Sequence, residues 1–196
     1  ATTWRARSPP SVAHISGRLV LLRRVRASPA LRQHTGTTKA AQPWLRGIVV
    51  LAVYVLLAAV YTHPLLQQHH SRIGNDPGDP VLNASILWWN ATTVPFSERW
   101  WNPPFFHPTR DVAAFTESMV GLSPLASPIF WITRDPVTTY NAMLFLTWPL
   151  SAFAVYLLIR FLARREDAAF VAGVAYGFSP YRATEIAHIQ MLSSYW

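Results

Sequence analysis

Cysteine is absent from the 196 residues, which excludes a disulfide framework, a thiolate zinc site and a thiol nucleophile. Charge is scarce. Asp, Glu, Lys and Arg make up 13% of the chain, about half the roughly 25% of an ordinary soluble protein. So few charges would leave a soluble surface poorly covered. Glycine is sparse too, at eight residues beside sixteen prolines, which argues against a flexible linker or a simple coiled coil. Acid is missing from one whole region. The first 46 residues hold nine of the seventeen basic residues and no Asp or Glu, whereas residues 47–196 hold eight basic and nine acidic ones. The net charge of +8 therefore belongs to an N-terminal tail. Such a tail suits either nucleic acid or the cytoplasmic flank of a membrane helix.

What is present decides for the membrane. Hydrophobic residues are 51% of the chain, with nine Trp, ten Phe and seven Tyr. Gly47–Tyr61 (GIVVLAVYVLLAAVY) lacks any charged side chain. With its flanks it approaches the roughly 20 residues of a membrane span, with Trp44 and Tyr61 at the ends where aromatic belts sit. Residues 1–43 read as a basic leader, disordered or a transit peptide. Residues 44–196 read as an all-α, polytopic helical membrane domain. About three spans are expected, near 45–62, 140–162 and 168–180, with an outer loop over 63–139 that carries juxtamembrane helices. The charge rule places the N-terminus in the cytoplasm, and Arg160, Arg164 and Arg165 return there. Ser118–Ile132, broken by Pro124 and Pro128, reads as a re-entrant or interfacial pair of short helices. Pro80–Val94 reads as a helix lying on the membrane, with Asp79 as N-cap and Pro80 at its first position. Trp100 to Phe106 reads as an aromatic turn at headgroup level. Tyr181–Trp196 reads as a further outer helix, and Ala169, Gly173 and Gly177 have the spacing that lets helices pack closely in lipid. Beginning with Ala and ending after an apolar stretch, the chain reads as a fragment, expected to be inactive without the rest of a longer protein.

The candidate chemistry gathers in the outer loop. Asp76 and Asp79 stand three apart on an Asp-Pro-Gly-Asp-Pro turn, where two carboxylates can share a cation or serve as base and stabiliser. Each also has a plainer role open to it, Asp79 as a cap and Asp76 in an Asx turn. Glu117 lies where the loop meets the membrane, costly for a carboxylate unless it is paired or functional. A helix-dipole role before Ser118–Ile132 is its alternative. Glu185-Ile186-Ala187-His188 has the Glu-x-x-His spacing of di-iron proteins, but those need a second such pair and two more Glu. Asn83-Ala84-Ser85 and Asn90-Ala91-Thr92 match the glycosylation pattern at positions unsuited to a glycan, so chance is the better account.

Several motifs in this order resemble the GT-C superfamily of polytopic, polyprenyl-phosphate-sugar-dependent glycosyltransferases. They are Gly78-Asp79-Pro80-Val81-Leu82-Asn83 with Trp88-Trp89, Asn102-Pro103-Pro104-Phe105-Phe106-His107-Pro108, and Phe115-Thr116-Glu117-Ser118. Tyr140-Asn141, Phe178-Ser179-Pro180-Tyr181-Arg182 and His188-Ile189-Gln190 follow. The resemblance covers residues 44–196 and implies a plasma-membrane (inner-membrane), multi-pass enzyme. It would move a sugar from a polyprenyl phosphate to a glycan, lipid or protein acceptor on the outer side, with inversion. It implies a loop carboxylate as general base, Asp79 first, with Asp76 and Glu117 as further candidates. A divalent cation, Mg or Mn, is possible in such enzymes. The leaving phosphate needs positive charge, for which Arg182 and His188 are expected, with Gln190 and His107 as further substrate contacts. Arg182 could instead anchor the interface and pair with Glu185.

Two other classes compete. A transport or assembly subunit would carry polar residues inside its spans. Here these are few, Asn141, Thr147, Ser151 and Ser179, while the acids gather outside. A tethered glycoside hydrolase would need a soluble sugar cleft with two spaced carboxylates, and no such domain is encoded. Nucleic acid is not an expected partner, but the bilayer is.

Overall fold

The computed structural model describes residues 43–74 and 77–193. The basic leader up to residue 42, and Asp76, lie outside the described residues. Eight α-helices and two short 3-10 turns follow one another, and no strand occurs among the described residues. Helix α1 is Pro43–Tyr61 and α5 is Pro136–Ala163. At 19 and 28 residues they are about 28 and 42 Å long at about 1.5 Å per residue. Both are long and apolar enough to cross a membrane.

Their surroundings differ. Only 17% of the α1 stretch is buried within the protein, against 44% for α5, so α1 is peripheral and α5 central. Ile48, Val49, Leu56 and Val60 are exposed along α1, an apolar surface suited to lipid rather than water. Along α5, Tyr140, Met143, Leu144, Trp148, Ala152 and Tyr156 are fully enclosed. From Leu144 onward they recur every fourth residue, a ridge that winds slowly round the helix, and α1, α3, α4, α6 and α8 pack around α5. Asp135 caps α5. Its carboxylate accepts from Val137 N (3.1 Å) and Thr138 N (3.0 Å) and from the Thr138 hydroxyl (2.5 Å).

Helix α6 (Glu166–Gly177) returns along α5 after a two-residue turn in which Arg164 takes the left-handed conformation, φ 53°. The turn is clamped. Arg160 Nε lies 2.8 Å from Glu166 Oε1, and the Tyr156 hydroxyl donates to Glu166 Oε2 at 2.6 Å. Arg165 grips Asp167 through two nitrogens, and mainly this hydrogen-bonded partner holds the Asp167 carboxyl down at about 2. The small residues do let the helices approach. A Cβ added at Gly177 would fall 2.9 Å from the Ala152 Cα, and one at Gly173 would run into the Tyr54 hydroxyl and the Ala152 carbonyl. With 12 residues, α6 is about 18 Å long, short of a span by itself.

Three sequence expectations change. Helix α3 is Asp79–Thr92 and lies between α4 (Ser123–Thr133) and α5. It buries Pro80, Asn83, Ala84, Ile86, Leu87, Trp89 and Asn90, too broad a surface for a helix resting on a membrane. Ser118–Ile132 is not a pair of helices broken at prolines. Pro124 sits in the first turn of α4, where its missing N–H costs nothing, and Pro128 is accommodated inside the same helix. At 11 residues α4 is about 16 Å long. Tyr181–Trp196 is not one helix either. Within the described residues it divides into α7 (Pro180–Thr184) and α8 (Ile189–Leu192), separated by a turn over 185–188.

The expected headgroup turn is partly core. Trp100 is 1% exposed and stacks edge-on against Trp101, with ring centroids 4.8 Å apart. Its indole N–H donates to Asn90 Oδ1 (2.7 Å), and its carbonyl accepts from the Trp89 indole (3.0 Å). Asn90 Nδ2 in turn donates to Ser118 O (2.8 Å). A buried polar tip that finds a partner explains how Trp enters a core. These bonds tie the outer loop to α3.

Candidate active site

The chain turns into α3 through Pro77 and Gly78. Gly78 occupies the N-cap position and Asp79 is the first helical residue, with Pro80 behind it. Asp79 is therefore not the cap that the sequence suggests. Its carboxylate stands at the positive end of the helix dipole, where negative charge is favoured, and its side chain is 60% exposed.

The turn between α7 and α8 reaches this helix start. His188 Nε2 lies 3.2 Å from Asp79 Oδ2, and His188 Nδ1 lies 2.8 Å from Glu185 Oε2. The second approach is at ion-pair distance but off the direction of a hydrogen bond. One turn along α3 from Asp79, the buried Asn83 donates through Nδ2 to Ala187 O and to Gln190 Oε1, both at 3.3 Å. The Tyr140 hydroxyl of α5 donates to Ile186 O at 3.5 Å. Asp79, His188 and Gln190, expected as site residues from sequence, thus share one location. Asn83 and Glu185 join them there. Asn83 could have been found from its place four residues after Asp79, on the same face of one helix. The spacing of Glu185 to His188 was visible, but the turn that brings both to Asp79 was not.

The other expected site residues sit elsewhere. Arg182 is 4% exposed. Its Nη2 donates to Thr147 O (2.9 Å) and Leu192 O (2.8 Å), and its guanidinium lies 5.7 Å from the ring centroids of both Trp148 and Tyr176. Burial lowers its pKa from the ordinary arginine value, and Tyr176 opposes this. The expected pairing with Glu185 is not made, since Glu185 faces His188. Glu117 and His107 are exposed, and neither forms an ion pair with a described residue. Glu117 precedes the 3-10 turn Val120–Leu122 rather than the first turn of α4, so the helix-dipole role does not apply. Among the described residues no three His, Asp or Glu side chains converge as a metal-ligand set.

Beside the site, a cavity of about 320 Å³ runs from the end of α1 to the α7–α8 turn. Tyr61, Leu65, Ile73, Trp148 and Ile186 line it, together with Arg72. The buried polar groups of α5 do not form a polar path. Asn141 donates to His69 O and Arg72 O (both 2.7 Å), Thr147 to Leu144 O (2.7 Å) and Ser151 to Leu192 O (3.4 Å). Comparison with protein-family models, curated proteins and solved structures finds no match for this chain.

Proposed function

We propose that this chain carries the first outer loop and the general base of a membrane glycosyltransferase of the GT-C type. The observation that carries the reading is the Asp79 carboxylate: exposed, set on the first residue of a buried helix, and reached by the α7–α8 turn, whose Ile186 lines a mainly apolar cavity. A base on a rigid helix start is held ready for a hydroxyl proton, and an apolar cavity suits an isoprenoid chain. In the proposed reaction the acceptor hydroxyl attacks the anomeric carbon of a polyprenyl-phosphate sugar. Asp79 takes the hydroxyl proton, the bond from carbon to phosphate oxygen breaks, and polyprenyl phosphate leaves with inversion. The leaving phosphate needs a cation. Arg72 lines the cavity and suits that role better than Arg182, whose guanidinium is committed to carbonyls.

The proposal includes a multi-pass place in the plasma membrane, with α1 and α5 as spans, a third crossing made by α6 together with the segment that follows it, and the N-terminus in the cytoplasm. The alternative of a transport or assembly subunit gains little from α5, where Asn141 Nδ2, Thr147 and Ser151 donate to backbone carbonyls, although Asn141 Oδ1 is buried without a partner among the described residues. The test is Asp79→Asn in the full-length protein in nanodiscs, supplied with undecaprenyl-phosphate-glucose and undecaprenyl-phosphate-mannose and read by release of undecaprenyl phosphate. A general base contributes about 10² to 10⁴ in rate, so release should fall by that factor while the protein still purifies and melts normally. Near-normal release by Asp79→Asn would refute the reading.

A further inference from the structure

We infer that Glu185 and His188 act as positioning residues for Asp79, His188 through Nε2 and Glu185 through His188 Nδ1; the inference rests on the glycosyl-transfer reading above. Three side chains from two distant parts of the chain lie in a row at 3.2 and 2.8 Å. Exposure falls along the row, from 60% at Asp79 to 35% at His188 and 26% at Glu185. The outermost group is thus free to meet a substrate, and the innermost is the anchor. Glu185 at 2.8 Å from Nδ1 limits where the imidazole can sit, by contact and charge rather than by a hydrogen bond, and the other ring nitrogen then faces away from it. Here that nitrogen faces Asp79 Oδ2, which leaves Oδ1 to take the proton of the acceptor hydroxyl.

The turn that carries the pair is itself held from several sides. Asn83 of α3 binds Ala187 O, Tyr140 of α5 binds Ile186 O, and Arg182 binds Leu192 O. Two bonds to the turn itself, and a third that ties α7 to α8 on either side of it, leave it little freedom to move relative to α3. This differs from the role expected of His188 from sequence, in which it would bind the donor phosphate. A positioning role acts on kcat through Asp79, whereas a phosphate contact acts on the binding of the donor.

The test uses the full-length protein in nanodiscs with the same two donors, each variant made with Asp79 and again with Asp79→Asn. Misplacing a reacting group by about 1 Å costs up to about 10²-fold in rate. His188→Ala should therefore lower kcat by about tenfold to a hundredfold with little change in KM. His188→Gln, which keeps a donor within reach of Asp79, should recover part of that loss, and Glu185→Gln should lose less than His188→Ala. In the Asp79→Asn background none of these should lower the residual rate further. Should His188→Ala fail to fold, His188→Asn decides, because its amide is too short to reach Asp79. An equal loss in both backgrounds, or a raised donor KM with kcat unchanged, would overturn the positioning role and leave the glycosyl-transfer reading standing. Full activity in Asp79→Asn alone would remove both.

Discussion

Replacing Gly177 by alanine tests how α5 and α6 are packed. The new Cβ would lie 2.5 Å from the Ala152 Cβ, 2.9 Å from its Cα and 3.1 Å from its N. Carbon atoms rest at about 3.5–4.0 Å, so the helices must part by about 1 Å. Nothing can rotate aside, because the obstructing atoms are backbone and a methyl. Nor is the pair free to hinge, with the two-residue turn clamped by Arg160, Glu166 and Tyr156. Two effects oppose each other. Alanine is a better helix former than glycine by about 1 kcal/mol, whereas overpacking costs about 1–3 kcal/mol. The contact is with rigid atoms, so overpacking should win, and Gly177→Ala should lose about 1–2 kcal/mol. Reversible unfolding in detergent measures this. Ala175→Gly, on the exposed side of α6, supplies the pure propensity term, a loss of about 1 kcal/mol. Ala152→Gly removes the nearest contact, so the double variant should be more stable than the sum of the single changes implies. A stabilised Gly177→Ala, or strict additivity in the double variant, would refute the close packing.

Three further outcomes are expected. The chain has no native Cys, so Arg72→Cys, Arg110→Cys and Arg134→Cys should react with an impermeant thiol reagent from outside and Asp167→Cys should not; labelling of Arg134→Cys only from the cytoplasm would mean that α4 crosses. Asp135→Ala should cost about 1 kcal/mol as a lost cap. Burial pushes the Asp135 carboxyl up, but the hydrogen bonds from Thr138 and Val137 outweigh it and leave the pKa lowered. A carboxylate depressed on folding stabilises fully above its unfolded value of about 4 and loses that stabilisation as pH falls through its folded value; melts below pH 5 should therefore be steeper for the native chain than for Asp135→Ala. Arg182→Met should cost about 1.5–3 kcal/mol in unfolding, the worth of hydrogen bonds to a charged group; a loss of transfer with unchanged stability would instead put Arg182 on the substrate.

Hydrophobic periodicity and length were enough to identify α1 and α5, because a span must be apolar over its whole length. The small-residue spacing of Ala169, Gly173 and Gly177 was likewise legible, since only glycine or alanine lets two backbones come so close. Asp79 was visible as an acid on a proline-braced turn, whereas His188 and Gln190 were picked out only by the motif resemblance. Their meeting was not visible. More than 100 positions separate Asp79 from His188, and no local pattern encodes a contact at that separation. Arg182 and Trp100 show the same limit from the other side. Their residue types suggest an exposed anchor and a headgroup aromatic. Whether a guanidinium or an indole is buried depends on which carbonyls and amides the rest of the chain supplies: Thr147 and Leu192 for Arg182, Asn90 for Trp100. The sequence by itself determined which segments are apolar and where the acids stand. The tertiary structure decided which polar groups find partners, because burying a polar group costs too much without one and its partner is set by packing rather than by neighbours in the chain.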